Sequence, residues 1–202
     1  MGEFLSAGFR AALAACLMAA VLMGTAVAGP LENAAAALHR GDYATARRII
    51  QSLADQGDAA AQWRLGRMYY FGLGVPQEWA EALRWYRKAA ERGYAAAQYD
   101  LGNIYYHGLG VPPESYAEAL RWYREAAKQG HVEAQNALGN MYYHGLGVPP
   151  NYVLAYMWSN LAATNRQSRN EVAEKMTSAQ IAEGQRMSER CLQSNYADCE
   201  LH

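Results

Sequence analysis

Leu101-Gly102-Asn103-Ile104-Tyr105-Tyr106-His107-Gly108-Leu109-Gly110-Val111-Pro112 decides the fold, because it does not occur alone. Leu65–Pro76 (LGRMYYFGLGVP) precedes it by 36 residues, and Leu138–Pro149 (LGNMYYHGLGVP) follows it by 37. A second block travels with it: Ala82–Ala90 (ALRWYRKAA), Ala119–Ala127 (ALRWYREAA) and the looser Ala155–Ala163 (AYMWSNLAA). Self-similarity at this period marks a helical solenoid, in which each helix pair buries its apolar face against its neighbours. The expected fold is all-α, an α/α superhelical solenoid closed by a C-terminal helical cap. Such a fold supplies a surface rather than a pocket prebuilt for chemistry.

Within a unit, the first helix is expected over Asp58–Phe71, with Ala61, Leu65, Met68, Tyr69 and Gly72 on one face. Gly66, Gly102 and Gly139 fall inside this helix, where glycine costs about 1 kcal/mol against alanine. Accepting that cost in every unit points to a second helix passing too close for a methyl group. Gly72 closes the helix as a left-handed cap, and Leu73-Gly74-Val75-Pro76 cannot continue it. The Gly-x-Gly in this loop follows a helix, not a strand, so it lacks the context of a phosphate-binding turn. His107 and His144 occupy the last turn of their helices, where Phe71 stands in the first unit. That alternation suits a tolerant, semi-exposed site; metal binding by the two histidines is the competing reading. The second helix is expected over Gln77–Arg92, packing through Ala82, Trp85, Tyr86, Ala89 and Ala90, with Arg84, Arg87, Lys88 and Glu91 outside.

Outward from the repeats, the organisation reads as a leader (1–28), a degenerate helix pair (29–57), three repeats (58–93, 94–130, 131–165) and a cap with tail (166–202). In the leader, Arg10 precedes an apolar run and Ala26-Val27-Ala28 matches a small-residue cleavage site, as in a secretory signal peptide. An uncleaved anchor is the alternative, since Ala11–Ala28 spans 18 residues. Leu13-Ala14-Ala15-Cys16 imitates a lipoprotein box but sits too close to Arg10 for the usual apolar region. Cleavage leaves two cysteines, Cys191 and Cys199, and an even pair in an exported chain favours a disulfide. In the cap, Arg169–Met176 and Ala179–Leu192 read as helices, with Thr177 or Ser178 as N-cap and Met176, Ile181, Met187 and Leu192 as apolar contacts.

The formal net charge is −1 with both signs interspersed, so no nucleic-acid footprint is expected. No S-x-x-K, G-x-S-x-G or H-E-x-x-H occurs. No catalytic residue, metal or cofactor is therefore assigned. Candidate binding residues come from geometry. The face opposite the apolar stripe carries Trp63, Arg67 and Tyr70, then Tyr99, Asn103 and Tyr106, then Asn136, Asn140 and Tyr143. Stacked repeats would align these as a ladder along an inner groove, and aromatic, Arg and Asn side chains suit a protein or peptide partner. The competing reading makes Tyr70, Tyr106 and Tyr143 inter-repeat packing.

The pattern Ala61-x3-Leu65-Gly66-x2-Tyr69-x2-Gly72-x-Gly74-Val75, followed by Ala82-x2-Trp85-x3-Ala89-Ala90 and Gly93, resembles the Sel1-like repeats, cousins of tetratricopeptide repeats. It returns at Ala97–Gly130 and Ala134–Ala163, and Asn165 replaces the closing glycine of the last repeat. The tail from Met176 to Glu183 also resembles the closing segment of bacterial members. The resemblance implies a non-enzymatic scaffold for protein–protein interaction, an adaptor or regulator in the cell envelope. A periplasmic or secreted monomer without stable membrane insertion is expected once the leader is removed. The alternative is a cell-wall glycan or peptidoglycan binder. A β-lactamase-like hydrolase is less favoured, because the cysteine pair that marks that branch in every repeat is missing here.

Overall fold

In a computed structural model, which describes residues 29–112, 115–162 and 166–199, the periodic blocks become helix pairs. Helices α1 (Pro30–His39) and α2 (Tyr43–Asp55) form the first pair. Three further pairs follow: α3 (Ala59–Phe71) with α4 (Trp79–Glu91), α5 (Ala95–His107) with α6 (Tyr116–Ala127), and α7 (Val132–His144) with α8 (Tyr152–Leu161). Two closing helices, α9 (Arg166–Ala173) and α10 (Ser178–Gln193), complete the ten among the described residues. From α1 to α8 each helix packs against the one before and the one after it, and α9 and α10 both lie against α8. This is a helical solenoid with a C-terminal cap. The expected leader, 1–28, lies outside the described residues. Among the described residues no helix is long and apolar enough to cross a membrane.

Short side chains start the helices by taking up otherwise unpaired backbone N–H groups. Asp58 accepts from the Ala61 N–H at 2.7 Å, Asn151 from Leu154 at 3.0 Å, and Thr177 forms a capping box with Gln180. At the other end Gly72, Gly108 and Gly145 hold φ between 65° and 72°, a left-handed cap that a side chain would strain. The second glycine of each loop has a different task. Gly74 lies on Tyr43, Gly110 on Trp79 and Gly147 on Tyr116, the aromatic first residues of α2, α4 and α6. Each loop is thereby seated on the preceding pair.

The glycines inside α3, α5 and α7 mark close helix contact. A methyl on Gly66 would stand 2.6 Å from the Tyr86 ring, and one on Gly102 would stand 2.6 Å from the Tyr123 ring. Trp85 and Trp122 reach backward, so that Trp85 packs with α2 and α3 while Trp122 packs with α4 and α5. Burying a large apolar side chain of this kind stabilises by roughly 1.5–3 kcal/mol. A further tie runs backward as well. Buried Gln62, Gln98 and Gln135 donate from Nε2 to the carbonyls of Ala54, Ala90 and Ala127 at 3.1, 3.1 and 3.2 Å. These carbonyls belong to the last turns of α2, α4 and α6, where each also accepts the N–H of a closing glycine, Gly57, Gly93 or Gly130.

The cap departs from the sequence reading in three ways. Helix α9 begins at Arg166, ahead of the expected Arg169, and ends at Ala173, ahead of Met176. Leu192 is 53% exposed instead of packing, because Gly184, Met187, Ser188 and Cys191 define the buried stripe and Leu192 lies at its margin. Met176 and Ile181 pack against the core from its edge, and Met187 is buried. Cys191 and Cys199 are joined in a disulfide with Cα atoms 4.6 Å apart. The loop they close carries Asn195 and Tyr196 at φ 51° and 66°.

Candidate functional site

Because Ala61, Leu65 and Met68 turn into the core, the residues two positions on (Trp63, Arg67 and Tyr70) turn out of it and onto the inner face. Two adjoining cavities lie there. The first, of about 410 Å³, is walled by Trp63, Arg67, Tyr70, Tyr99 and Asn103, with Asp100 and His131 beside them. The second, of about 500 Å³, is walled by Tyr99, Asn136, Asn140 and Tyr143 together with Ser159 and Glu171. Tyr99 and Glu133 belong to both. Eight of the nine candidate residues therefore line one continuous hollow. Tyr106 is the exception. Its ring sits edge-on to Tyr116 at 5.5 Å and to His107 at 5.0 Å, a packing role. Tyr70 and Tyr143 do both, lining the hollow while their rings pack on Phe71 (4.8 Å) and Tyr152 (5.7 Å).

The first cavity is held rigid by polar contacts. Trp63 Nε1 donates to Asp100 Oδ2 at 2.7 Å, and the Arg67 guanidinium lies 5.1 Å from the Trp63 ring centre and 5.5 Å from that of Phe71. Burial raises the Asp100 carboxyl above its ordinary range, opposed by the Trp63 hydrogen bond and by Arg67. Tyr123 donates its hydroxyl to Asn103 Oδ1 at 2.7 Å, so Asn103 is committed to the wall. Burial likewise pushes the Tyr123 hydroxyl well above its ordinary value, so it remains a neutral donor. Tyr99 stacks on His131 at 4.9 Å with ring planes 25° apart. Burial lowers the His131 pKa and favours the neutral ring, whose Nδ1 accepts from the Ala134 N–H at 3.4 Å and caps α7.

The second cavity lies at a departure from the repeat. Tyr86 and Tyr123 occupy equivalent positions in α4 and α6, and each ring covers the glycine of its partner helix. The equivalent residue in α8 is Ser159, 5% exposed, whose Oγ would stand 2.6 Å from a methyl on Gly139. A hydroxymethyl in place of a phenol leaves the inner face open there.

Asp100, His131, Glu133, Ser159 and Glu171 were not among the sequence candidates. Ser159 had a signal, since it breaks the repeat, whereas Asp100 stands at a position that differs in every unit, with Arg64 and Ala137 in the others. Glu171 comes from α9, whose placement no repeat pattern specifies. His107 and His144 are both exposed at the ends of α5 and α7, and His144 lines the second cavity. On the outer face Arg84 pairs with Glu81 at 2.6 Å, and Arg84 and Lys88 lie 4.6 and 4.3 Å from the Trp85 ring centre. Arg124 donates to the Tyr142 hydroxyl and is half-buried.

Comparison with known proteins follows the same residues. The Sel1 repeat pattern matches residues 59–94, 95–131 and 132–166. A protective antigen present in uropathogenic Escherichia coli strains, displaying an SLR fold, is similar at 37% identity and TM-score 0.68 over 76% of this chain. The match covers 34% of the antigen, so the chain spans about a third of that relative's length. A Sel1 repeat protein from Oxalobacter formigenes is similar at 28% identity and TM-score 0.66, over 84% of this chain and 73% of that one. No curated protein matches the chain.

Proposed function

Since the chain belongs to the Sel1 repeat family, whose repeats mediate protein–protein interaction, we propose that it is a non-enzymatic scaffold of the bacterial cell envelope. It holds a protein or peptide segment in the inner hollow formed by α3, α5 and α7. The observation that carries this reading is the alignment of Trp63, Arg67, Tyr70, Tyr99, Asn103, Asn136, Asn140 and Tyr143 along two joined cavities. Their volumes of about 410 and 500 Å³ suit side chains of a bound segment, within the range of about 300–1,000 Å³ common to ligand sites. Aromatic and arginine side chains on a rigid floor are the usual anchors of such contacts.

The envelope setting implies export. The sequence of the leader, the Cys191–Cys199 disulfide and the antigenic character of the E. coli relative agree with it. Intact mass of protein recovered from the periplasm should begin at Gly29; a mass that retains residues 1–28 would sink the export reading.

The binding reading is tested with two variants. Arg67→Ala with Asn140→Ala and Tyr143→Ala removes groove anchors. Arg84→Ala with Arg121→Ala removes exposed charges from the outer face, each paired with a glutamate one turn away, an exposed contact worth about 0–1 kcal/mol. Asn103 and Arg124 are left alone because each is tied to a tyrosine. Partners cross-linked in envelope extract should be lost from the groove variant and kept by the outer-face variant. Loss in the outer-face variant alone would move the site to the convex side. Co-sedimentation with purified peptidoglycan, unaffected by extract proteins, would replace a protein partner by a cell-wall glycan.

A further inference from the structure

The two cavities differ in charge, and that difference selects an occupant. Arg67 lines the first cavity, beside Asp100 and Glu133. The second is lined by Glu133 and Glu171, and among the described residues that line it there is no lysine or arginine. Glu133 is 65% exposed at its side chain and faces His131 at 3.2 Å. Burial favours the neutral form of that imidazole, so it does not compensate the carboxylate. Glu171 accepts from Gln167 Nε2 through one oxygen, at 3.0 Å. The rings of Tyr99 and Tyr143 line the same cavity as the two acids, and so does Ser159, where the other units carry a tyrosine.

Resting on the groove reading, we infer that the Ser159 cavity is a specificity pocket for a lysine or arginine side chain of the bound protein segment. Two carboxylates supply charge-assisted acceptors for its head. Tyrosine faces attract a cation lying over them, and they cover its aliphatic stem. The arrangement also gives the segment a direction. A basic residue seats between α7 and α9, while the part of the segment that reaches Arg67 is acidic or carries aromatic surface. The cavity beside Tyr86 is lined by Arg67, which repels a cation, so one basic residue is read per molecule.

The test uses the mature protein and a phage-displayed library of random twelve-residue peptides. Enriched peptides should share a lysine or arginine. Replacing that residue by alanine should weaken binding about tenfold or more, as expected for a charge-assisted contact. Ser159→Tyr restores the side chain of the other units and fills the pocket; Glu133→Gln with Glu171→Gln keeps its shape and removes its charge. Both should cause a similar loss, and the glutamine pair decides the matter if the tyrosine variant fails to fold. Enriched peptides without a basic residue, or peptides indifferent to both variants, overturn the pocket. If such peptides still depend on Arg67, Asn140 and Tyr143, the groove stands and only the pocket falls. Peptides indifferent to every groove substitution, or a library that yields none, overturn both.

Discussion

The second and third repeats begin with nearly the same helix and end with different surfaces. Helices α5 and α7 share the Leu-Gly-Asn core and the Tyr-Tyr-His-Gly-Leu-Gly end, and both bury their leucine completely. In the second repeat the Tyr123 ring covers Gly102 and its hydroxyl is fixed on Asn103. In the third, Ser159 covers Gly139 and leaves a cavity of about 500 Å³ beside it. Backbone placement is thus set by the first helix of each unit. What lines the inner face beside each glycine, a ring or a hydroxymethyl, is set by one position in the second.

The third repeat also leans on elements the second does not have. Its core joins Trp158 to Val172, Met187, Cys191 and Cys199 of the cap. Loosening the cap is the strongest way to separate the two repeats. Cys191→Ser with Cys199→Ser should lower stability by about 2–3 kcal/mol, the value expected for a loop this short. Hydrogen exchange should accelerate in α7, α8 and α10 first. Equal acceleration throughout α3–α6 would show that the cap supports the whole array and not one repeat.

A smaller effect comes from the glycines. Gly102→Ala drives a methyl into a buried phenol ring, and overpacking of this kind costs about 1–3 kcal/mol, less about 1 kcal/mol gained in helix propensity. Gly139→Ala meets a serine hydroxyl, which can rotate away, and the Ala155 carbonyl at 3.3 Å. Thermal melts should therefore show a lower melting temperature for Gly102→Ala than for Gly139→Ala. The reverse order would mean that the tyrosine yields and the serine does not.

The smallest expected change concerns Asp100, which the third repeat replaces with Ala137. Its carboxyl is raised by burial, so the folded state holds the proton more tightly than the unfolded chain. The sign follows from linkage: the folded state has its full advantage below the unfolded carboxylate range and loses it as pH rises through the folded value. Asp100→Asn keeps an acceptor for the Trp63 indole and avoids the buried charge. It should melt higher than wild type at neutral pH, with the gap closing as the pH falls to the unfolded carboxylate range. A gap that widens on acidification would mean that the charged form is favoured by Arg67 after all.

The helix pairs, their glycines and the inner ladder were legible because each is written three times, and periodicity separates a structural letter from chance. What occurs once was not legible. Ser159 shows in sequence as a lapse from the pattern, and a lapse does not say whether a neighbour fills the gap. The Asp100–Trp63 bond joins residues 37 apart in different units, so neither position alone reveals it. Gln62, Gln98 and Gln135 were repeated in plain view, yet their purpose depends on a carbonyl in the preceding helix. Tyr106 shares its place with Tyr70 and Tyr143, but its ring takes the free edge of Tyr116 instead of facing the hollow. Leu192 was assigned to the core by residue type, against its position on the helix.

The glutamine ties and the loops seated on aromatic first residues have a consequence for how such a molecule changes length. Every one of these contacts joins a unit to the one before it, and none reaches further along the array. Copying or deleting one 36-residue segment of the gene would therefore bring its own complete set of joints to each new boundary. The array behaves as a ruler whose marks are fixed and whose span is adjustable. Recombination within the repeats can lengthen the recognised segment by a constant step, without redesigning a core.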